Sequence, residues 1–165
     1  MNRSTPTPTV SQYLRTLSFL HLVITATPLI MGILFYVQAD GQALAFSLPK
    51  DLYGYLGPIL ALGSILLGDF LFKGMTGKFS GNGGLKAKLA RYQSASLIKF
   101  ALVEGAALFS MVLFANTWNL LHAMIGALLI LHLIFLRPNL GKIEQQLPLK
   151  AAEKVQLRKM DRPLV

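Results

Sequence analysis

Four apolar stretches, each long enough to cross a lipid bilayer, take up most of this chain and limit what it can become. Inside hydrocarbon no water is available to satisfy backbone N–H and C=O groups, so each stretch is expected to be a helix that closes its own hydrogen bonds. A helix rises about 1.5 Å per residue and the hydrocarbon core is about 30 Å thick, which about 20 residues span. The expected fold is therefore all-α: an integral membrane four-helix bundle made of two transmembrane hairpins. The spans fall at about 17–37, 52–72, 97–115 and 119–136. Residues 1–16 form an N-terminal segment, 17–137 the membrane domain with a basic loop at 73–96, and 138–165 a basic tail. Pro28 lies mid-span, where a lipid-embedded helix tolerates it with a kink.

The composition agrees. The chain is 53% hydrophobic and 14% charged, against about 25% charged for soluble domains. It has no cysteine, which excludes a disulfide framework, thiolate metal sites and cysteine catalysis. A net charge of +9 would suggest nucleic acid in a soluble protein. Here the charge lies beside the spans, so attraction to anionic lipid headgroups at the basic loop and tail explains it, and no nucleic-acid partner is expected.

Orientation follows from where the cations sit. Lys73, Lys78, Lys86, Lys88, Arg91 and Lys99 crowd the middle loop, Arg3 and Arg15 precede the first span, and the tail holds Arg137, Lys142, Lys150, Lys154, Arg158, Lys159 and Arg162. The other side offers Lys50. The positive-inside bias then places both termini and the middle loop in the cytoplasm, with Tyr36, Tyr53, Tyr55 and Trp118 as an outer aromatic belt.

The third helix is expected to begin near Leu85, after the breaker run Gly81-Asn82-Gly83-Gly84. Its Leu85, Leu89 and Tyr92 stand at helical spacing among basic residues, as in an amphipathic lead-in lying at the headgroups. The termini read as weakly ordered. A short helix over Ala151 to Met160 with a basic face is one reading of the tail, and a solvated tail is the other. Parallels between Phe70–Lys78 and Ile134–Lys142 suggest tandem duplication of a helical hairpin.

Two sets of residues carry the functional hypotheses. Gly57, Ala61, Ser64 and Gly68 line one face of the second span. Small residues let backbones approach closely, so this face is a packing seam, either within the chain or toward a homo-oligomer or partner subunit. Ionisable groups inside spans are costly, and each raises a functional question. His21, Asp69, Glu104 and His132 lie four to six residues inside the basic ends of their spans, roughly 6–9 Å deep. One reading gathers them into an intramembrane polar cluster that relays protons or holds a cation. The other treats each alone, with Asp69 paired to Lys73 four residues on and the histidines reaching headgroups or backbone. No Glu-x-x-His pair, phosphate-binding loop or nucleophile elbow occurs, so no metal, cofactor, catalytic residue or enzymatic activity is expected.

The segment Ala101-Leu102-Val103-Glu104-Gly105-Ala106-Ala107-Leu108-Phe109-Ser110-Met111-Val112 resembles the carboxylate-bearing helix of ATP synthase proteolipid subunits. The resemblance implies that Glu104 carries a translocated proton or cation. Here the carboxylate is on the third span rather than the last of a hairpin. Nearly the whole chain also resembles small four-span proteins of Bacteroidota that, as a group, carry no assigned function. That likeness rests on Leu14-Arg15-Thr16-Leu17, Leu102-Val103-Glu104-Gly105-Ala106-Ala107-Leu108-Phe109 and Phe135-Leu136-Arg137-Pro138. It implies a multi-pass protein of the bacterial inner membrane and carries over no activity. The leading expectation is a non-enzymatic structural or interaction subunit; the alternative is a conducting subunit using Glu104.

Overall fold

A computed structural model describes residues 9–48, 50, 52–77 and 84–160. Among them the chain is all-helical: α1 (Val10–Gln38), α2 (Leu52–Gly77), α3 (Leu85–Thr117), α4 (Leu120–Phe135), α5 (Leu140–Gln146) and α6 (Ala151–Arg158). Arg3, Lys78, Arg162, the Gly81–Gly83 part of the breaker run and the Tyr53 side chain lie outside the described residues.

Several helix ends have a local reason. Thr9 caps α1 by accepting from the Gln12 N–H, while the Gln12 side chain accepts from the Thr9 N–H, so two orphan donors are satisfied reciprocally. Pro28 sits inside α1 without ending it and is buried. Trp118, in the left-handed conformation at φ 51°, ends α3, and its N–H donates to the Phe114 carbonyl. Asn119 then caps α4 by accepting from Leu121 N–H. The same Asn119 amide donates to the carbonyl and hydroxyl of Ser47, and Leu120 N–H donates to the Ala45 carbonyl. The α1–α2 loop is thereby clipped to the α3–α4 turn at one end of the bundle.

Helix α3 is the central element. It packs against α1, α2 and α4, whereas α1 and α2 hardly meet and flank the α3–α4 pair. Accordingly 44% of its most apolar stretch is buried, against 22% for α1 and for α2. The close α3–α4 packing has no counterpart between α1 and α2, so the helix packing does not repeat from one half of the chain to the other, as a tandem hairpin duplication would have it. The large apolar residues left over face outward: Leu22, Val37, Leu62, Leu66, Phe70, Leu128 and Phe135 are each more than 60% exposed. A soluble monomer rarely leaves such continuous apolar surface open, and lipid is the solvent that suits it.

Three helices (α1, α2 and α3) are long and apolar enough to cross a bilayer. With 33 residues, α3 extends about 50 Å, about 20 Å more than the thickness of a hydrocarbon core. The helix expected as a fourth span is shorter than expected. At 16 residues, α4 reaches about 24 Å, and the chain then bends by 86° into α5. Arg137-Pro138 forces that bend, because Pro138 has no N–H to continue the ladder.

The tail departs from the weakly ordered, solvated segment of one reading and forms the short helix of the other, as α6. α5 and α6 fold back as a cap over the end of the bundle where α1 and α3 begin. Ile143 and Leu157 are fully buried, and Leu147 nearly so. The Ser11 N–H donates to the Met160 carbonyl at 3.1 Å, and Tyr92 donates to the Gln146 side chain at 3.0 Å. The stripe Leu85, Leu89 and Tyr92 is therefore buried by protein rather than laid on headgroups.

Candidate functional site

The four ionisable groups expected within the spans occupy three different seams. His21 sits where α1, α3 and α4 meet. Its Nε2–H donates to the Leu133 carbonyl at 2.8 Å, which fixes the proton on Nε2. Its ring stands edge-on to Phe100, with centroids 4.8 Å apart. The last turn of α4 tightens, with Leu136 and Arg137 N–H donating to the Leu133 and Ile134 carbonyls. His21 thus completes the C-terminal cap of a neighbouring helix, at the dipole end that favours a donor.

Asp69 pairs with Lys99 across the α2–α3 seam, not with Lys73 in its own helix as the spacing suggested. The Lys99 ammonium also lies over the Phe72 ring, 5.5 Å from its centroid, an arrangement that favours the cation. Helix α2 can approach closely here because of Gly68, where an added Cβ would stand 3.2 Å from Lys99 Cγ. His132 shares this neighbourhood: Lys99 and Asp69 are its charged neighbours. Its Nε2 is buried with no hydrogen-bond partner among the described residues.

Glu104 lies apart from both. It is half-buried on the α1-facing side of α3, near exposed Thr27, whose hydroxyl donates to the Val23 carbonyl. The expected layer of four groups is thus divided: Asp69 and His132 come together around Lys99, His21 caps α4, and Glu104 sits at an outer edge. Among the described residues no three His, Asp or Glu side chains converge as a metal site would need.

The small-residue face of α2 meets helices of the same chain. An added Cβ at Gly57 would stand 3.0 Å from His122 Nδ1 on α4 and 3.5 Å from Leu113 on α3. Ala61 is buried in the core cluster. Ser64, whose hydroxyl donates to the Ala61 carbonyl, lies at the rim of this seam, beside an outward groove lined by Gly63 and Gly105.

Sequence reasoning missed the ion pair that fastens the cap. Lys88, 5% exposed, donates to Glu153 at 2.7 Å and to the Pro148 carbonyl at 2.8 Å. Glu153 also accepts from the Lys150 N–H at 2.7 Å. Burial alone would raise the Glu153 carboxyl, but these hydrogen bonds and the charges of Lys88 and Lys150 outweigh it and hold the group below its usual range. The available signal was Lys88 itself, a cation inside the apolar stripe of α3. Comparisons with protein-family models, curated proteins and solved structures found no match to this chain.

Proposed function

We propose that this protein is a multi-pass membrane subunit of the bacterial inner membrane, non-enzymatic, with four spans and both termini in the cytoplasm. One observation carries the reading. The bundle is sheathed in exposed apolar side chains between two ends of opposite character. The start of α1, the start of α3 and the α5–α6 cap, which hold most of the cations, are joined at one end by the Ser11–Met160 and Lys88–Glu153 contacts. The Ala45–Asn119 clip, with few charges around it, closes the other. Cations gathered at one end are what the positive-inside bias produces. At about 24 Å, α4 crosses by local thinning or by snorkelling of Arg137.

The cysteine-free chain allows a direct test. A single Gln42→Cys substitution is expected to react with a membrane-impermeant thiol reagent in intact cells. Lys159→Cys is expected to react only after permeabilisation. Labelling of both, or of the second alone, in intact cells defeats the topology.

The structural role, rather than conduction, draws support from the position of Glu104 at an outer edge, away from His21 and from the Asp69–Lys99–His132 group. Glu104→Gln keeps the shape of the side chain, and is expected to cost under about 1 kcal/mol. Protein accumulation and proton permeability of reconstituted vesicles are both expected to stay at wild-type levels. Loss of a wild-type proton flux in the variant, with the protein still present, would establish the conducting alternative.

A further inference from the structure

Two grooves run in line between α1 and α4. The one nearer the cap, about 370 Å³, is lined by Ser18, His21, Leu22, Thr25, Ile134 and Arg137. The other, about 400 Å³ and almost wholly apolar, is lined among others by Leu29, Gly32, Ile33, Ala127 and Ile134. Ile134 borders both, so the two lie end to end as one track; both are largely apolar, and Ser18, His21, Thr25 and Arg137 add polar groups at the capped end. Two of these polar groups bond within the protein: His21 donates to the Leu133 carbonyl and Thr25 to the His21 carbonyl.

The charge at the mouth is of one sign. Arg137 is exposed there. Lys142 is held beside it by donating to the Phe135 and Arg137 carbonyls at 2.5 and 3.0 Å, and an ammonium has a third N–H to offer. Arg15 precedes Ser18 by three residues and Leu22 by seven, which sets it on the same stripe of α1. The acid nearest in sequence on α5, Glu144, is neutralised by Arg158 at 2.9 Å.

We propose that this track holds an anionic glycerophospholipid of the cytoplasmic leaflet. Its phosphate sits among Arg15, Arg137 and Lys142, and one acyl chain lies along Leu22, Leu29 and Ile134. Charge complementarity selects the headgroup, and the succession from a cationic rim to an apolar groove matches the order of chemistry along a lipid. The assignment rests on the membrane reading above.

The test uses the full chain, delipidated in detergent and titrated with phosphatidylglycerol or phosphatidylcholine while retained lipid is counted by native mass spectrometry. One phosphatidylglycerol is expected to be retained in preference to phosphatidylcholine. Arg15→Gln with Arg137→Gln is expected to weaken phosphatidylglycerol retention about 30-fold at low salt and to remove the preference. Ala127→Phe, on an exposed position, fills the apolar track and is expected to weaken retention of both lipids. Lys86→Gln with Lys159→Gln removes equal charge from exposed positions elsewhere and is expected to change little. Equal retention of the two lipids by the wild type overturns the site, as does an equal loss in the Lys86/Lys159 control. If the membrane reading itself fails, the protein leaves the membrane fraction on alkaline extraction; if the lipid site alone fails, it stays there.

Discussion

Glu153→Ala is expected to loosen the cap by about 3 kcal/mol, because removing one partner of a buried ion pair takes its counter-charge from the other. The charge left behind is Lys88, 5% exposed beneath α6. The same substitution strips the Lys150 N–H of its acceptor at the start of that helix. Lys88→Met is expected to cost about 1 kcal/mol, since Glu153 at 14% exposure lies nearer water and keeps its Lys150 bonds. The double variant is expected to resemble Lys88→Met more than Glu153→Ala, as pairs replaced by apolar groups often do. Tryptic cleavage within residues 142–158 reads the opening. For Glu153→Ala it is expected to speed by roughly 100-fold, the factor that about 3 kcal/mol corresponds to. If the two single variants open the cap equally, the asymmetry argued from burial is wrong.

The same pair sets a pH dependence whose sign is fixed. The folded-state pKa of Glu153 is lowered, so its stabilisation is fully present above the ordinary carboxylate value and is lost as pH falls through the lowered one. Amide protection of α6 is therefore expected to hold through neutral pH and to decline only in acid. In the double variant that acid-dependent decline is expected to disappear.

How far the sequence reached follows from what periodicity and offset can encode. Length and apolarity located the long helices, because each must satisfy its backbone alone in lipid. Of the cap, the helix over Ala151 to Met160 is one reading of the tail, but its docking was not legible, for the opposite reason. α5 and α6 have seven and eight residues, below the length at which a helix holds by itself, so they exist through Ile143, Leu147 and Leu157 meeting α1 and α3. The stripe Leu85, Leu89 and Tyr92 announced a buried face but not what buries it. The polar groups show the same limit. Counting residues from the basic ends gives a side chain's depth, whereas which neighbour it meets depends on its angle around the helix and on which helices are adjacent. His21 and Glu104 share a depth expectation and face different seams. Asp69 had a partner available in its own helix, and the closer approach of α2 to α3 at Gly68 supplied a different one.

Gly57→Leu and Gly68→Leu are expected to lower the unfolding temperature of the detergent-solubilised protein sharply, each costing about 3 kcal/mol through overpacking. At Gly57 even a single added carbon would stand 3.0 Å from His122 Nδ1, and at Gly68 it would stand 3.2 Å from Lys99 Cγ and 3.7 Å from Lys99 Cα. Leucine adds three further carbons, so α2 must move off the α3–α4 pair along most of its length. That movement would also part Asp69 from Lys99. Gly63→Leu and Gly105→Leu provide the contrast, since an added Cβ at either meets nothing within 4 Å, and both are expected to fold with wild-type stability. The two outcomes separate the two meanings of a small-residue face. If the Gly57–Gly68 seam joined separate copies of the chain, leucine there would shift the elution volume toward a smaller particle and leave each copy folded. If it closes the chain on itself, the unfolding temperature falls at unchanged particle size. The short distances to His122, Leu113 and Lys99 belong to one chain, so the second outcome is the one expected.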